Sequence, residues 1–454
     1  MSSDNNTISR KSFIKKVSLL TAGISPFIHM LYAAEKGVDI IGKGLKLISD
    51  SKGIVDLAPG LRYSVISRKG DSMSDGLTVP DHADGMGAFM IDRSKVALIR
   101  NHEIGHLNKI ENLLSLNPLH KESEYINKNS RFFYDSGDGS APCCGGTTTL
   151  IYNQSLDRVE KQYLSLSGTL VNCSGGPTPW GSWISCEETV SRTGFGLSKD
   201  HGYNFEVIPT ERVGLQKAVP LTAMGRFRHE AVAIDPSNLY AYQTEDRDEG
   251  LIYRFIPSNP NDYKKGGKLQ VLSVPNLPDT RNWSRTTVWE GSKYKVRWLD
   301  IDMVDSPDDD LRFRGADMGA SVFARPEGMW YDDGSIYFTC TSGGYKKIGQ
   351  IWRYDIFRNV LEMVLEPNNA DVMKKCDNLT IAPWGDIIVC EDGKGRDRLI
   401  GVRKDGSTYV IAENVFNNAE FAGVCFSPDG STLFVNIYKP SMTLAIKGDF
   451  TSIR

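Results

Sequence analysis

This chain lacks a strong net charge. Its 53 basic and 56 acidic side chains leave a formal charge of −3, which excludes the basic surface a nucleic-acid partner requires. It also lacks long apolar runs beyond its N-terminus: no later stretch approaches the roughly 18 to 20 unbroken apolar residues of a membrane span, so the chain that follows is expected to be soluble. Serines and threonines with an obvious paired base are missing too, which argues against a covalent side-chain nucleophile. What is abundant is turn and strand chemistry. Forty-three glycines and 20 prolines beside 18 tyrosines and 18 phenylalanines favour many short strands joined by tight turns.

Eight cysteines could form a disulfide framework, but their positions suggest otherwise. Cys186, Cys340 and Cys390 each end an alternating apolar run ("GSWISCEE", "GSIYFTCTSG", "GDIIVCEDG"), and Cys425 lies at a core position of "GVCFSPDG". These read as packing residues. Cys143 and Cys144 are adjacent and cannot easily bridge one another. Cys173, in "NCSGGPTPWGSWISCEET", is different, because it opens a repeat.

That repeat is a hairpin occurring about six times, in segments opening at Asp84, Cys173, Glu230, Glu327, Asn378 and Glu420. Each opens on a polar residue, runs as a strand into a D-P, D-G or W-G turn, and returns as a second strand. Several end in acids: Glu103, Glu187, Glu188, Glu245, Asp246, Glu391 and Asp392. A hairpin repeated six times with variable material between copies predicts an all-β, six-bladed propeller with irregular insertions. The opening residues would then converge on the axis, with the closing acids nearby. So many carboxylates need cations to share a small volume. Oxygen donors suit calcium, and the Cys173 thiolate suits a softer transition ion. His102 and His229, each just before a glutamate, are further ligand candidates.

The segments "NCSGGPTPWGSWISCEE", "GRFRHEAVAIDP", "TEDRDEGLIYRF", "ARPEGMWYDDG", "NLTIAPWGDIIVCEDG" and "EFAGVCFSPDGSTLFVNI" together resemble the PhoX family of bacterial alkaline phosphatases. The resemblance implies calcium and ferric iron held on a six-bladed propeller that hydrolyses phosphomonoesters. It matches Cys173 and Glu230 to the family's iron ligands, and Arg325 and Glu327 to the arginine and glutamate of its A-R-P-E-G segment. It also implies, from the chain's length, that peripheral insertions of longer members are missing. Arg325 has a role on chemistry alone: a guanidinium fork can donate two parallel hydrogen bonds to phosphoryl oxygens. Its alternative role is to balance Glu327.

The N-terminal "SRKSFIKKVSLLTAGISPFIHMLYAA" runs from a basic cluster into apolar and then small residues. It resembles a twin-arginine export signal, with Lys11 in place of the second arginine; a short membrane anchor is the alternative. Cleavage after Ala34 would remove Arg10, Lys11, Lys15, Lys16 and Asp4, taking the charge from −3 to −6. The expected organisation is a signal over 1–34 and one propeller domain over 35–454. This implies a periplasmic or secreted monomer that meets the twin-arginine machinery and small phosphomonoesters. Two other readings are a calcium-dependent propeller acting on lactones or phosphotriesters, and a non-catalytic binding propeller.

Overall fold

The computed structural model describes residues 46–105, 123–137, 143–260 and 262–453; the segment read as an export signal lies outside them. Alternating apolar runs bounded by turn residues form antiparallel hairpins here, and six sheets stand around one axis. Numbered by innermost strand, blade 1 runs outward through Ala83–Met90, Lys95–His102, Gly145–Asn153 and Arg158–Thr169. Blade 2 holds Asn172–Pro177, Trp183–Glu187 and Asn204–Val207. Blades 3, 4, 5 and 6 start from His229–Ile234, Pro326–Asp332, Cys376–Ile381 and Phe421–Phe426. Each inner strand packs on the next, and that of blade 6 returns to blade 1. The chain's two ends close the ring: Leu61–Arg68 pairs with Met442–Gly448 in blade 6, and Val55–Leu57 edges blade 5.

The apolar cores lie between blades. Tyr242, Phe323, Phe338 and Trp352 fill the space between blades 3 and 4, and Ile388, Phe421 and Val435 that between 5 and 6. Each such side chain contributes about 1.5–3 kcal/mol by leaving water. Cys186, Cys340, Cys390 and Cys425 belong to these inter-blade cores, and all eight cysteines are buried free thiols.

One irregularity recurs in all six inner strands. Pairing with the second strand skips between Ala83 and Met86, Asn172 and Gly175, His229 and Val232, Pro326 and Met329, Cys376 and Leu379, and Ala422 and Cys425. A bulge leaves its extra residue unpaired and re-aims it. The residues following the first pairs are Asp84, Cys173, Glu230, Glu327, Asp377 and Gly423. Polar side chains from the preceding blade hold four of these backbones by their carbonyls: Asn101 holds Cys173, Thr244 holds Glu327, Thr339 holds Asp377 and Asn436 holds Asp84.

Below the bulges the channel is nearly solid. Met86, Gly175, Met329, Leu379 and Val424 are among the residues around a void of only ≈ 10 Å³, about the room of one water. The glycines of "NCSGGP" permit this closeness: a Cβ at Gly176 would fall onto the Val232 carbonyl oxygen of blade 3.

Candidate functional site

Above the plug, the bulge residues and the ends of the second strands form one buried acidic ring. Three overlapping triads bring their ligand atoms within 4.8 Å of one another: Asp84, Glu103 and Cys173; Cys173, Glu188 and Glu230; and Glu230, Glu327 and Asp377. Cys173 Sγ lies 3.2 Å from Glu230 Oε1 and 3.6 Å from Asp84 Oδ2. Cys173 and Glu230 each belong to two triads, so adjacent subsites share donors. Burial, then neighbouring acids, pushes the carboxyls of Asp84, Glu188, Glu230 and Asp377 far up. Burial does the same for Glu327, although Arg325 opposes it. The Cys173 thiol is likewise raised by burial and by Asp84 and Glu230. Two buried oxygens, Asp84 Oδ1 and Glu230 Oε2, have no hydrogen-bond partner. Orphaned carboxylate oxygens beside a thiol are a donor set that fits hard and borderline cations.

A cationic layer sits over this ring, two residues before the bulge position in blades 3, 4 and 5: Arg228, Arg325 and Lys375. Arg325 and Lys375 take left-handed backbone, φ 50 and 49, as do His82 and Val171 at the same place in blades 1 and 2. That conformation is costly for non-glycine residues and clusters at functional sites. Arg325 Nε and Nη2 donate to the two oxygens of Asp246 at 2.8 Å each, and Arg325 also pairs with Glu327. Arg228 pairs with Glu188 and donates from Nε to its carbonyl at 3.1 Å. Burial and the nearby Arg325 lower the Lys375 ammonium pKa. Tyr438 donates to Glu103 at 2.5 Å and stacks on His82.

The ring therefore gathers most residues expected there and omits some. Asp84, Glu103, Cys173, Glu188, Glu230 and Glu327 lie in the triads. Asp246 is held by Arg325. Glu420 stands beside them, its carboxyl raised by burial and by Asp392, Asp377 and Asp84. Glu187, Glu245 and Glu391 face away. Glu187 accepts from Leu170 N, Gly202 N, Tyr203 N and His201 Nδ1; Glu245 accepts from Tyr253 and pairs with Arg312; Glu391 is forked by Arg398 and capped by Lys374 N. Strand alternation explains the split, since each precedes an acid on the opposite face.

Pairing register also replaces Asn378 with Asp377 in the bulge series, because the bulge inserts a residue that two-residue alternation does not count. Asn378 instead accepts from Gly423 N at 2.6 Å. Gly423, with φ 62 and a Cβ position that would overlap the Asp84 carbonyl, fills the blade 6 bulge where Glu420 was expected.

The histidines are occupied elsewhere. His102 engages Asp81 O and Thr148 with its two nitrogens. His229 bonds Gly225 O and stacks on Phe227, and burial lowers its pKa to about 3. His102, Glu103 and His106 do make an H-E-x-x-H spacing, but zinc binding by that motif needs a helix. Here Lys95–His102 is a strand, and His106 lies outside the described residues. Arg228, Lys375, Asp377 and Tyr438 were missed in the sequence; the cation two residues before Glu230, Glu327 and Asp377 was the available signal.

No curated protein sequence matches the chain. Among solved structures, Pseudomonas fluorescens PhoX in complex with vanadate, a transition state analogue, superposes with a TM-score of 0.64 at 18% identity, covering 89% of this chain and 98% of that one. A luciferin-regenerating enzyme (TM-score 0.42, 10% identity, 86% and 96% covered) and a gluconolactonase from Xanthomonas campestris (0.36, 10%, 86% and 98%) also align. The family model described as alkaline phosphatase PhoX matches residues 43–441. That span takes in blades 1 to 5 and all of blade 6 except its strand Met442–Gly448, and the chain belongs to the alkaline phosphatase PhoX family.

Proposed function

We propose that the axial ring is the hydrolytic centre of this enzyme and that its cations are ferric iron and calcium. The protein is a metal-dependent alkaline phosphatase that hydrolyses phosphomonoesters to release inorganic phosphate. The observation that carries the site assignment is the pair of orphaned oxygens on Asp84 and Glu230, within a ring whose acids outnumber the cations above it. The two triads containing Cys173 offer sulfur and suit iron; Glu230, Glu327 and Asp377 offer only oxygen and suit calcium. Glu103, Glu188, Asp246, Asp392 and Glu420 complete or flank these subsites. Bound there, the cations would polarise phosphoryl oxygens and supply an activated attacking oxygen.

The chain's own contribution is orientation and charge. Arg325, one third exposed at its side chain, presents its fork at the mouth, where it donates to two phosphoryl oxygens and stabilises the charge that grows on them. Arg228 and Lys375 widen this anion-binding layer. Asp246 and Glu327 hold the Arg325 fork in place between turnovers. The plugged channel admits substrate from the mouth side alone, which suits small phosphomonoesters.

No helix among the described residues is long and apolar enough to cross a membrane. The basic N-terminal cluster, followed by apolar and then small residues, supports export by the twin-arginine route to the periplasm or beyond, and we take the enzyme as a one-domain monomer. The test is release of phosphate from p-nitrophenyl phosphate by protein purified without chelator, compared with Cys173→Ser. Loss of iron, visible colour and activity together in the variant is expected; full colour and turnover would overturn the assignment of Cys173.

A further inference from the structure

A second donor cluster lies outside the axial ring, near the mouth-side loops of blades 1 and 2. Asp135 follows the short helical turn Ser130–Phe132, Cys143 precedes the strand Gly145–Asn153, and His201 precedes Asn204–Val207. Their ligand atoms fall within 4.8 Å of one another. Asp135 and His201 are 0% exposed and Cys143 is 1% exposed. His201 Nε2 lies 3.3 Å from Asp135 Oδ2 and 3.9 Å from Cys143 Sγ, while Nδ1 lies 2.6 Å from Glu187 Oε1.

These separations are unequal in an informative way. The contact to Glu187 has the length of a charge-assisted hydrogen bond, and that to Asp135 is longer than such bonds, which run about 2.7–2.9 Å. Two ligands at zinc bond lengths of about 2.0–2.3 Å and a tetrahedral angle sit roughly 3.3 Å apart for nitrogen and oxygen, and roughly 3.6 Å for nitrogen and sulfur. The Nε2 contacts match this spacing to within about 0.3 Å. A metal-binding histidine typically donates its other N–H to a carboxylate, and Glu187 occupies that place. Asp135 is itself fixed by Gly137 N, Ser198 N, Ser198 Oγ and Lys199 N, and Tyr134 packs edge-on against the His201 ring at 5.2 Å.

We propose that Asp135, Cys143 and His201 bind a divalent cation of the zinc class, separate from the catalytic metals, with Glu187 orienting His201. Oxygen, nitrogen and sulfur in one buried set favour zinc over calcium. Binding replaces the Cys143 S–H and the His201 Nε2–H with bonds to the metal and releases both protons to solvent, while Nδ1–H stays on Glu187. The ion joins three separate segments and, through Glu187, fixes the chain next to Glu188 of the axial ring. Its role is structural.

The test is elemental analysis of the full-length protein after incubation with Zn²⁺ and desalting, on wild type, Cys143→Ala and His201→Gln. Cys143→Ala is a small change that the fold should tolerate. Wild type should retain one zinc equivalent more than either variant, while iron and calcium contents stay equal in all three. Equal zinc in wild type and Cys143→Ala, or none in wild type, would overturn the proposal and leave His201 as a buried imidazolium between Asp135 and Glu187. A thermal midpoint raised by Zn²⁺ in wild type but unmoved in Cys143→Ala is the second expected readout, and equal shifts in both would count against it.

Discussion

Glu187 and Glu188 are neighbours in sequence, both buried at 0% and 7% exposure, and surrounded in opposite ways. Glu187 accepts from three backbone N–H groups and a histidine. Glu188 faces Glu103, Asp246 and Glu327, with Arg228 as its cationic partner. Glu391 and Asp392 divide the same way, Glu391 being held by Arg398 and Asp392 facing Glu327, Asp377 and Glu420. Asp246, beside Glu245, turns inward but is forked by Arg325. The outward acids are satisfied inside the protein and brace its loops. The inward acids form a ring that the protein leaves short of positive charge, and a buried carboxylate lacking compensation costs several kcal/mol. A ring built this way is stable when an external cation completes it.

The largest effect that sharpens this contrast is metal removal. Chelation of the purified enzyme should abolish phosphatase activity and lower the thermal midpoint, since a cation held at 100 times its dissociation constant adds about 2.7 kcal/mol per site. An unchanged midpoint after verified removal would erase the difference between the two sets of acids.

Substituting an outward acid should do the reverse. Glu391→Gln leaves Arg398 without its buried partner, with an expected loss of about 3–5 kcal/mol of stability in denaturant unfolding. Iron and calcium contents should stay at wild-type values, and their loss would place Glu391 functionally within the ring.

Arg325→Lys keeps the charge and removes the fork. If Arg325 grips phosphoryl oxygens, turnover should fall by about 2–4 kcal/mol of transition-state stabilisation while metals and midpoint persist; near-normal kcat would confine Arg325 to balancing Asp246 and Glu327. The smallest effect concerns register. Asn378→Ala should cost about 1–3 kcal/mol by leaving Gly423 N–H unpaired, without metal loss, whereas Asp377→Asn should reduce calcium content.

The hairpins, their turns and the convergence of Asp84, Cys173, Glu230 and Glu327 were legible because apolar alternation and turn residues are local signals. The bulges were not. A single extra residue leaves the pattern on either side intact, so alternation alone took Asn378 for Asp377 and gave blade 6 an opening Glu420 where the fold uses Gly423. The same limit hid which member of each acidic pair faces inward, since facing follows from which residue pairs with the bulged strand. Lys375 escaped notice because its offset from Asp377 emerges only once that register is known, whereas Arg228 stands before Glu230 as Arg325 does before Glu327 and was overlooked.

The measurement that bears most directly on the ring is the metal content of Glu230→Gln beside wild type, both purified without chelator. Glu230 belongs to two of the three triads and carries one of the orphaned oxygens. Wild type is predicted to contain both iron and calcium, and Glu230→Gln to lose a large part of each while keeping its strand content by circular dichroism. Equal iron and calcium in the two proteins would contradict the account.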